Sequence, residues 1–152
     1  MSRLGSFTRY WLPLALWMAL IFTASTDALS SSRTSRIIGP FLRWIYPGVS
    51  NLAIYRVQTV VRKGGHVAEY AVLALLVWRT LRRPQRSNPR PWQWSHAGVA
   101  LLVAVGFAAS DEWHQSFVPS RDGRVKDVLW DSAGAAAGLA GLWSLGRWKK
   151  RW

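Results

Sequence analysis

The stretch ASDEWHQSFVPSRDGRVKDVLWDSAG, from Ala109 to Gly134, holds five of the seven acidic residues of a chain whose formal net charge is +13. Carboxylates grouped in this way can orient cations, act as general acids or bases, or take part in metal binding. Arg121, Arg124 and Lys126 return positive charge to the same stretch, and such pairing is how partly buried ions are tolerated. The stretch therefore predicts a polar site beside apolar runs.

A second polar group begins the second apolar run, in VRKGGHVAEYAVL. At about 100° per residue, Arg62, His66 and Glu69 share one helix face, with Tyr70 at its edge. Ions on one face of a membrane helix are costly without partners, so they are expected to face inward and mark a functional site. In the alternative interpretation, Arg62 and Lys63 snorkel to lipid headgroups. Glu69 fits that alternative worst, because a carboxylate gains nothing from anionic lipid.

Helical spacing also relates the acids near the third and fourth apolar runs. Asp111 and Gln115 share a face one turn apart if the third run stays helical through Gln115, and Glu112 lies within a turn of Gln115. In the fourth run, Asp127 and Asp131 lie in one stripe with three glycines that we expect to pack against another helix. These glycines are Gly134, Gly138 and Gly141.

Four apolar runs must position these groups. Each is close to the roughly 20 residues that cross a bilayer core, and they predict an all-α polytopic membrane helix bundle formed by one domain, residues 1–152. The predicted spans are about 8–26, 62–81, 94–113 and 126–146. The first run also fits a cleaved signal peptide, an alternative that the sequence leaves open.

The segment between the first two spans, RTSRIIGPFLRWIYPG, predicts an amphipathic helix lying in the membrane interface. Ile37, Phe41 and Ile45 lie near one face of it, and its arginines lie elsewhere. Gly39-Pro40 is expected to interrupt or start this helix. A re-entrant or loop segment packed on the bundle is the alternative.

Basic residues cluster at the N-terminus, in the link after the second span and in the tail RWKKRW. The positive-inside rule makes that side cytoplasmic, so we expect a multi-pass cytoplasmic-membrane protein with both termini in the cytoplasm. Five tryptophans near the same face, Trp92, Trp94, Trp143, Trp148 and Trp152, fit an interfacial aromatic belt. Because the cations lie at the ends of apolar runs, a nucleic-acid partner is not expected despite the charge.

In this topology the two polar groups meet at the outer half of the membrane. The expected ligand-binding residues are Arg62, Lys63, His66, Glu69, Tyr70, Asp111, Glu112, Gln115, Arg121, Arg124, Asp127 and Asp131. His66, Glu69 and His114 are the candidates for catalysis. A metal-assisted variant of the enzyme could use His114 with Asp111 and Glu112. The chain has no cysteine, however, and D-E-x-H lacks the spacing of zinc motifs, so neither a metal site nor a cofactor is predicted.

Two stretches carry a resemblance to a known family. KGGHVAEYAVLALL and ASDEWHQSFVPSRDGRVKDVLWDSAGAAAG resemble the signatures of VanZ-like membrane proteins, K-x-x-H-x-x-x-Y followed by D-E-x-x-Q-x-F-x-P-x-R and D-x-x-x-[ND]-x-x-G. The chain departs from the pattern at Gly64 and Gly65, where bulkier residues are common, and at Asp131, where Asn is frequent. The resemblance implies a small helical bacterial membrane protein of the cell envelope, with a namesake linked to low-level resistance to the glycopeptide teicoplanin. It implies no particular biochemical activity.

Four functions remain open from the residues. The preferred one is binding or modulation of an envelope lipid or a lipid-linked cell-wall component, with arginine and lysine holding phosphate. The alternatives are an enzyme acting on a lipid phosphate or lipid-linked sugar, a transporter, and a purely structural latch. Membrane lipids are the expected partners.

Overall fold

The computed structural model describes residues 5, 7–26, 31–83, 91–119 and 123–152, and over these residues all regular structure is helical. The predicted all-α class is thus confirmed. The first helix opens with a π-helical turn, Phe7–Trp11, and continues as an α-helix over Leu12–Ala24. The five helices are α1 (Phe7–Ala24), α2 (Ser31–Ile45), α3 (Asn51–Arg82), α4 (Trp94–Gln115) and α5 (Val125–Trp148).

Two of these helices, α1 and α4, are long and apolar enough to cross a membrane. In α3 the apolar run is interrupted by His66, Glu69 and Arg79, and α5 carries acids in its first turns and is rich in small residues. Large apolar side chains such as Leu16, Leu102 and Leu129 nevertheless cover the outside of α1, α4 and α5. An apolar outer surface of this kind is typical of a bundle that faces lipid.

The core is built around α3, which packs most extensively against α5 and also contacts α4, α1 and α2. Tyr70, Leu73 and Val77 of α3 meet an alanine row on α4, and Leu139 of α5 joins them. The row is Ala97, Ala100, Ala104 and Ala108. Small side chains repeated every three or four residues let the helix axes approach closely. The same row continues into Asp111 and Gln115, so the face of α4 that forms the apolar core becomes polar at one end.

The first helix is an integral part of this bundle. Trp17 Nε1 donates to the Glu69 carbonyl at 3.0 Å, and Thr80 Oγ1 donates to the Tyr10 carbonyl at 3.0 Å. Ile21 is buried in the core. Helix α1 therefore contacts α3 both near its start and in its second half.

Helix α2 corrects one expectation, since it runs through Gly39-Pro40 without interruption. Gly39 faces Ile54 and Gln58 of α3, where a Cβ would have ordinary contacts. Pro40 cannot donate to the Arg36 carbonyl, but both residues are exposed, so that carbonyl can be solvated. The predicted helix itself is confirmed.

Helix α3 begins at Asn51, eleven residues before the predicted start of the second span at 62. Ser50 caps it, accepting a hydrogen bond from Ala53 N–H at 3.2 Å. The early turns are mixed in polarity, so hydropathy alone did not reveal them. At 1.5 Å per residue the helix is about 48 Å long, more than the roughly 30 Å of a bilayer core.

The end of the bundle opposite Asp111 is closed by tryptophans. Trp78 and Trp92 stack with centroids 5.2 Å apart, and Trp152 lies 5.4 Å from Trp92. The buried Arg82 guanidinium lies 5.1 Å from the Trp152 ring centroid and 5.2 Å from that of Trp78. Trp94 and Trp143 extend this tryptophan cluster at 5.8 Å, so four of the five belt tryptophans do group together.

We expect the Trp152→Ala variant to lose about 1–2 kcal/mol of stability, because a half-buried ring and its cation–π contact are removed. Trp148→Ala is the matched control, since Trp148 is 80% exposed. Thermal unfolding of both variants in detergent checks this. Equal midpoints for the two variants would contradict the packing role of Trp152.

Candidate functional site

Buried polar side chains from four helices collect at the Asp111 end of the bundle. Their burial follows from the alanine row, because the positions of α4 that continue it remain covered by α1, α3 and α5. The buried polar residues at this end are Ser25, Tyr70, Asp111, Glu112, Gln115 and Asp131. Five of these six were predicted as site residues.

Asp111 is the acceptor at the centre of one half of the site. Its Oδ2 accepts hydrogen bonds from Ser25 Oγ at 2.7 Å, from Gln115 Nε2 at 3.0 Å and from Tyr70 hydroxyl at 3.4 Å. The donors come from the end of α1, from α4 and from α3. Asp111 thus ties three helices together, and its other oxygen, Oδ1, has no hydrogen-bond partner within the described ranges.

His66, Glu112 and Asp131 form the other half, contributed by α3, α4 and α5. His66 Nδ1 lies 3.5 Å from Asp131 Oδ1. One ligand-capable atom of each of the three residues lies within 4.8 Å of the other two. Asp111 and Glu112 are adjacent residues of α4, so the two halves of the site meet on that helix.

The chain returns over this end through Gly123 and Arg124. The backbone N–H of Arg124 donates to Glu112 Oε2 at 2.8 Å. A Cβ at Gly123 would collide with the Glu112 carbonyl, so only glycine allows this close approach. Glu112 is consequently fixed by the segment that leads into α5.

Three cations that are close in the chain to His66 or to the acids of α5 are exposed: Arg62, Lys63 and Arg124. Lys63 Nζ lies 5.2 Å from the centroid of the Trp130 ring. These side chains can meet an anion that approaches the site from solvent or from a membrane surface.

Glu69, Asp127 and His114 are the remaining predicted polar residues that the structure describes. Glu69 is half-buried one turn after His66, with which its charge interacts. Asp127 is half-buried one turn before Asp131. His114 stacks on Phe22 of α1 with ring centroids 4.4 Å apart and is not part of the His66–Glu112–Asp131 group. Arg121 lies outside the described residues.

The glycine stripe packs α5 against α3 and ends earlier than predicted. A Cβ at Gly134 would collide with the Val67 backbone, and one at Gly138 would lie 3.0 Å from Ala71 Cβ. Gly141 has nothing within 4 Å and is exposed, so its predicted packing role is wrong. The contact follows steps of four residues from Gly134 to Gly138 and then to the partly buried Leu142, which leaves Gly141 to one side.

Ser25 belongs to the buried polar cluster but was not predicted from the sequence. It lies at the end of the first apolar run, in TAST, where the small residues indicated only a possible signal-peptide cleavage site. The Arg124 backbone N–H was also missed, because a main-chain donor leaves no trace in residue type.

Most of the chain matches the model of a known protein family. No curated protein and no solved structure matches the chain. The family model described as VanZ/LLP1 matches residues 10–146, nearly the whole chain, and this region includes all five helices in whole or in large part. With the two apolar helices, that match indicates a membrane protein. The chain belongs to the VanZ/LLP1 family.

Proposed function

We propose that this chain is a four-span membrane protein whose polar site opens to the outer side and binds the phosphate of an envelope lipid or lipid-linked cell-wall component. In this topology α1, α3, α4 and α5 span the cytoplasmic membrane and both termini lie in the cytoplasm. The basic tail and the tryptophan cluster at one end support the orientation, since both are typical of a cytoplasmic interface.

One observation carries the proposal: a buried polar cluster, contributed by four helices, is bordered by the exposed cations Arg62, Lys63 and Arg124 at one end of an apolar bundle. Arginine and lysine bind phosphate through charge-assisted hydrogen bonds. Polar groups at membrane depth are costly and are retained for function. A polar lipid headgroup at the outer surface fits both facts.

Helix α2 supports a lipid ligand. Ile37, Phe41 and Trp44 form an apolar strip on it, and Ile37 is 73% exposed. We propose that this strip inserts into the outer leaflet beside the site, which keeps the entrance at headgroup level. A lipid could then reach the site by lateral diffusion.

The direct test compares two charge-reversal variants of equal size. Arg62→Glu/Lys63→Glu changes the cations beside the site, and Lys149→Glu/Lys150→Glu changes exposed cations at the other end. The purified proteins, in nanodiscs, are titrated with a polyprenyl phosphate, with phosphatidic acid and with the matching polyprenol. We expect the first variant to bind both phosphate lipids at least about 10-fold more weakly than wild type, at about 1 kcal/mol per charge.

The control variant should bind as wild type does, and the polyprenol should bind weakly to all three proteins. Equal binding of phosphate lipids by wild type and by the Arg62/Lys63 variant would overturn the proposal. Teicoplanin susceptibility of cells that express each variant gives the parallel cellular measurement of a modulating role.

A lipid-phosphate hydrolase is the second candidate, favoured by the proximity of His66 to Asp131, whose Nδ1 and Oδ1 atoms lie 3.5 Å apart. A carboxylate that orients an imidazole is a common arrangement for general acid–base catalysis. Release of phosphate from a polyprenyl diphosphate by wild type, and its loss in His66→Gln, would establish the enzyme. Without such turnover the binding role stands alone.

A further inference from the structure

His66, Glu112 and Asp131 combine one imidazole nitrogen with two carboxylates at the meeting point of α3, α4 and α5. We infer that these three residues bind a divalent transition-metal ion. The sequence did not predict such a site, because its three ligands come from three helices and share no local spacing.

The state of Asp131 is the first reason. Its side chain is fully buried, and neither Oδ1 nor Oδ2 has a hydrogen-bond partner in the described part of the chain. A buried carboxylate that accepts no hydrogen bond costs several kcal/mol, and the His66 imidazole 3.5 Å away offsets only part of this cost. A cation held between Asp131, His66 and Glu112 satisfies both the charge and the lone pairs.

The geometry is the second reason. The His66 Nδ1 to Asp131 Oδ1 separation of 3.5 Å is beyond a good hydrogen bond, and neither atom has a hydrogen-bond partner in the regions described. Tetrahedral zinc with bonds of about 2.0–2.2 Å holds neighbouring ligand atoms about 3.4 Å apart. The third ligand, from Glu112, lies within 4.8 Å of both, so a small inward movement completes the set.

The chemistry of the ligands selects the ion class. One imidazole with two carboxylates suits Zn²⁺ or Mn²⁺ better than Mg²⁺ or Ca²⁺, which prefer oxygen ligands only. Glu112 holds the Arg124 N–H through Oε2, and its carboxylate has a second oxygen available for the ion. The His66 side chain is 24% exposed, which gives the ion a route of entry.

Three protein ligands leave a fourth position that water or a ligand oxygen can take. The three buried carboxylates Asp111, Glu112 and Asp131 would otherwise repel an anion. A bound dication changes the sign of the local field. In a step that rests on the proposed function, the ion therefore bridges the acids to the lipid phosphate.

The test measures metal retained by the full-length protein. Wild type in detergent is stripped with EDTA, dialysed against ZnCl2 or MnCl2, and analysed for metal by mass spectrometry. We expect about one equivalent in wild type, and at least a 10-fold weaker affinity in Asp131→Asn and in His66→Gln. His96→Gln is the control, since it removes an imidazole near the start of α4, at the end of the bundle away from the site.

His66→Gln guards against misfolding of the Asp131 variant, because His66 is partly exposed and lies at the edge of the site. Helical content and size-exclusion profiles confirm that each variant is folded. The metal site is overturned if wild type retains no metal. It is also overturned if Asp131→Asn and His66→Gln retain as much metal as wild type does.

The same samples are titrated with polyprenyl phosphate, with and without EDTA. If the protein retains metal but EDTA does not change its lipid binding, the metal site is kept and the bridging step is overturned. Metal retention with no lipid binding at all keeps the site and overturns the proposed function. If EDTA treatment and the Asp131→Asn substitution each abolish both metal retention and lipid binding, the full inference is supported.

Discussion

Replacing Asp111 with alanine is expected to lower the free energy of unfolding by about 3 kcal/mol or more. The variant leaves the Tyr70 hydroxyl and the Gln115 amide without their common acceptor, and both side chains are buried. Each unsatisfied buried donor costs about 1–3 kcal/mol. Ser25 loses less, because its single hydroxyl proton can be donated instead to the Ile21 carbonyl, which lies 2.9 Å away.

An opposing effect favours the variant: burying the Asp111 carboxylate costs desolvation free energy, and the alanine substitution removes that cost. The donors should outweigh it, because three hydrogen bonds from three helices converge on one oxygen. Thermal and urea unfolding in detergent, followed by circular dichroism, measure the difference. Ser110→Ala is the control, since Ser110 is the exposed neighbour and donates only to Phe107.

Asp111→Asn should fall between these variants, because its amide oxygen can still accept while the charge is lost. A variant Asp111→Ala that is as stable as wild type would show that the carboxylate is retained for ligand chemistry alone. If Asp111→Ala is less stable but retains metal as wild type does, Asp111 stabilises the bundle independently of the His66–Glu112–Asp131 site.

Much of the site could be predicted because helix phase is a local property. His66 and Glu69 were placed on one face of α3, and Asp111 with Gln115 on one face of α4, by spacing alone. Burial then followed from the cost of unpaired ions in an apolar setting. The structure brings His66, Asp111 and Asp131 to one end of the bundle, as those arguments required.

Tertiary geometry was not accessible in the same way. Nothing local shows that Ser25 reaches Asp111, or that the Arg124 N–H reaches Glu112, because each contact depends on how separate helices meet. The same holds for His114, whose residue type suggested chemistry but whose ring stacks on Phe22. Residue type indicates what a group can do, and packing decides whether it has a partner.

The extent of α3 was misjudged for a different reason. Hydropathy detects continuous apolar runs, whereas Asn51 to Val61 is mixed in polarity and carries its helix signal in the cap at Ser50. The predicted span recorded only the apolar part of a longer helix.

The substitution Gly134→Ala is expected to disrupt the contact between α5 and α3 more than the same change at Gly138 or Gly141. The new Cβ would meet the carbonyl oxygen, Cα and carbonyl carbon of Val67, all of them backbone atoms that no rotamer change can move. The two helices must therefore separate. Overpacking of this kind costs about 1–3 kcal/mol, with larger values where backbone must shift.

The glycines of α5 provide a graded series for this test. At Gly138 the new Cβ would lie 3.0 Å from Ala71 Cβ and 3.0 Å from the Ala71 carbonyl oxygen, so Gly138→Ala should destabilise less. At Gly141 there is open space, and alanine is the better helix former by about 1 kcal/mol, so Gly141→Ala should be neutral or stabilising. Thermal unfolding in one detergent should rank the variants in that order.

The same series links packing to the proposed metal site. Gly134 lies three residues after Asp131, and Val67 directly follows His66, so separating α5 from α3 at this contact moves two ligands apart. Gly134→Ala should therefore weaken Zn²⁺ retention, whereas Gly141→Ala should leave it unchanged. If Gly134→Ala unfolded as Gly141→Ala does and retained Zn²⁺ equally, the close contact between α3 and α5 would not be what holds His66 against Asp131.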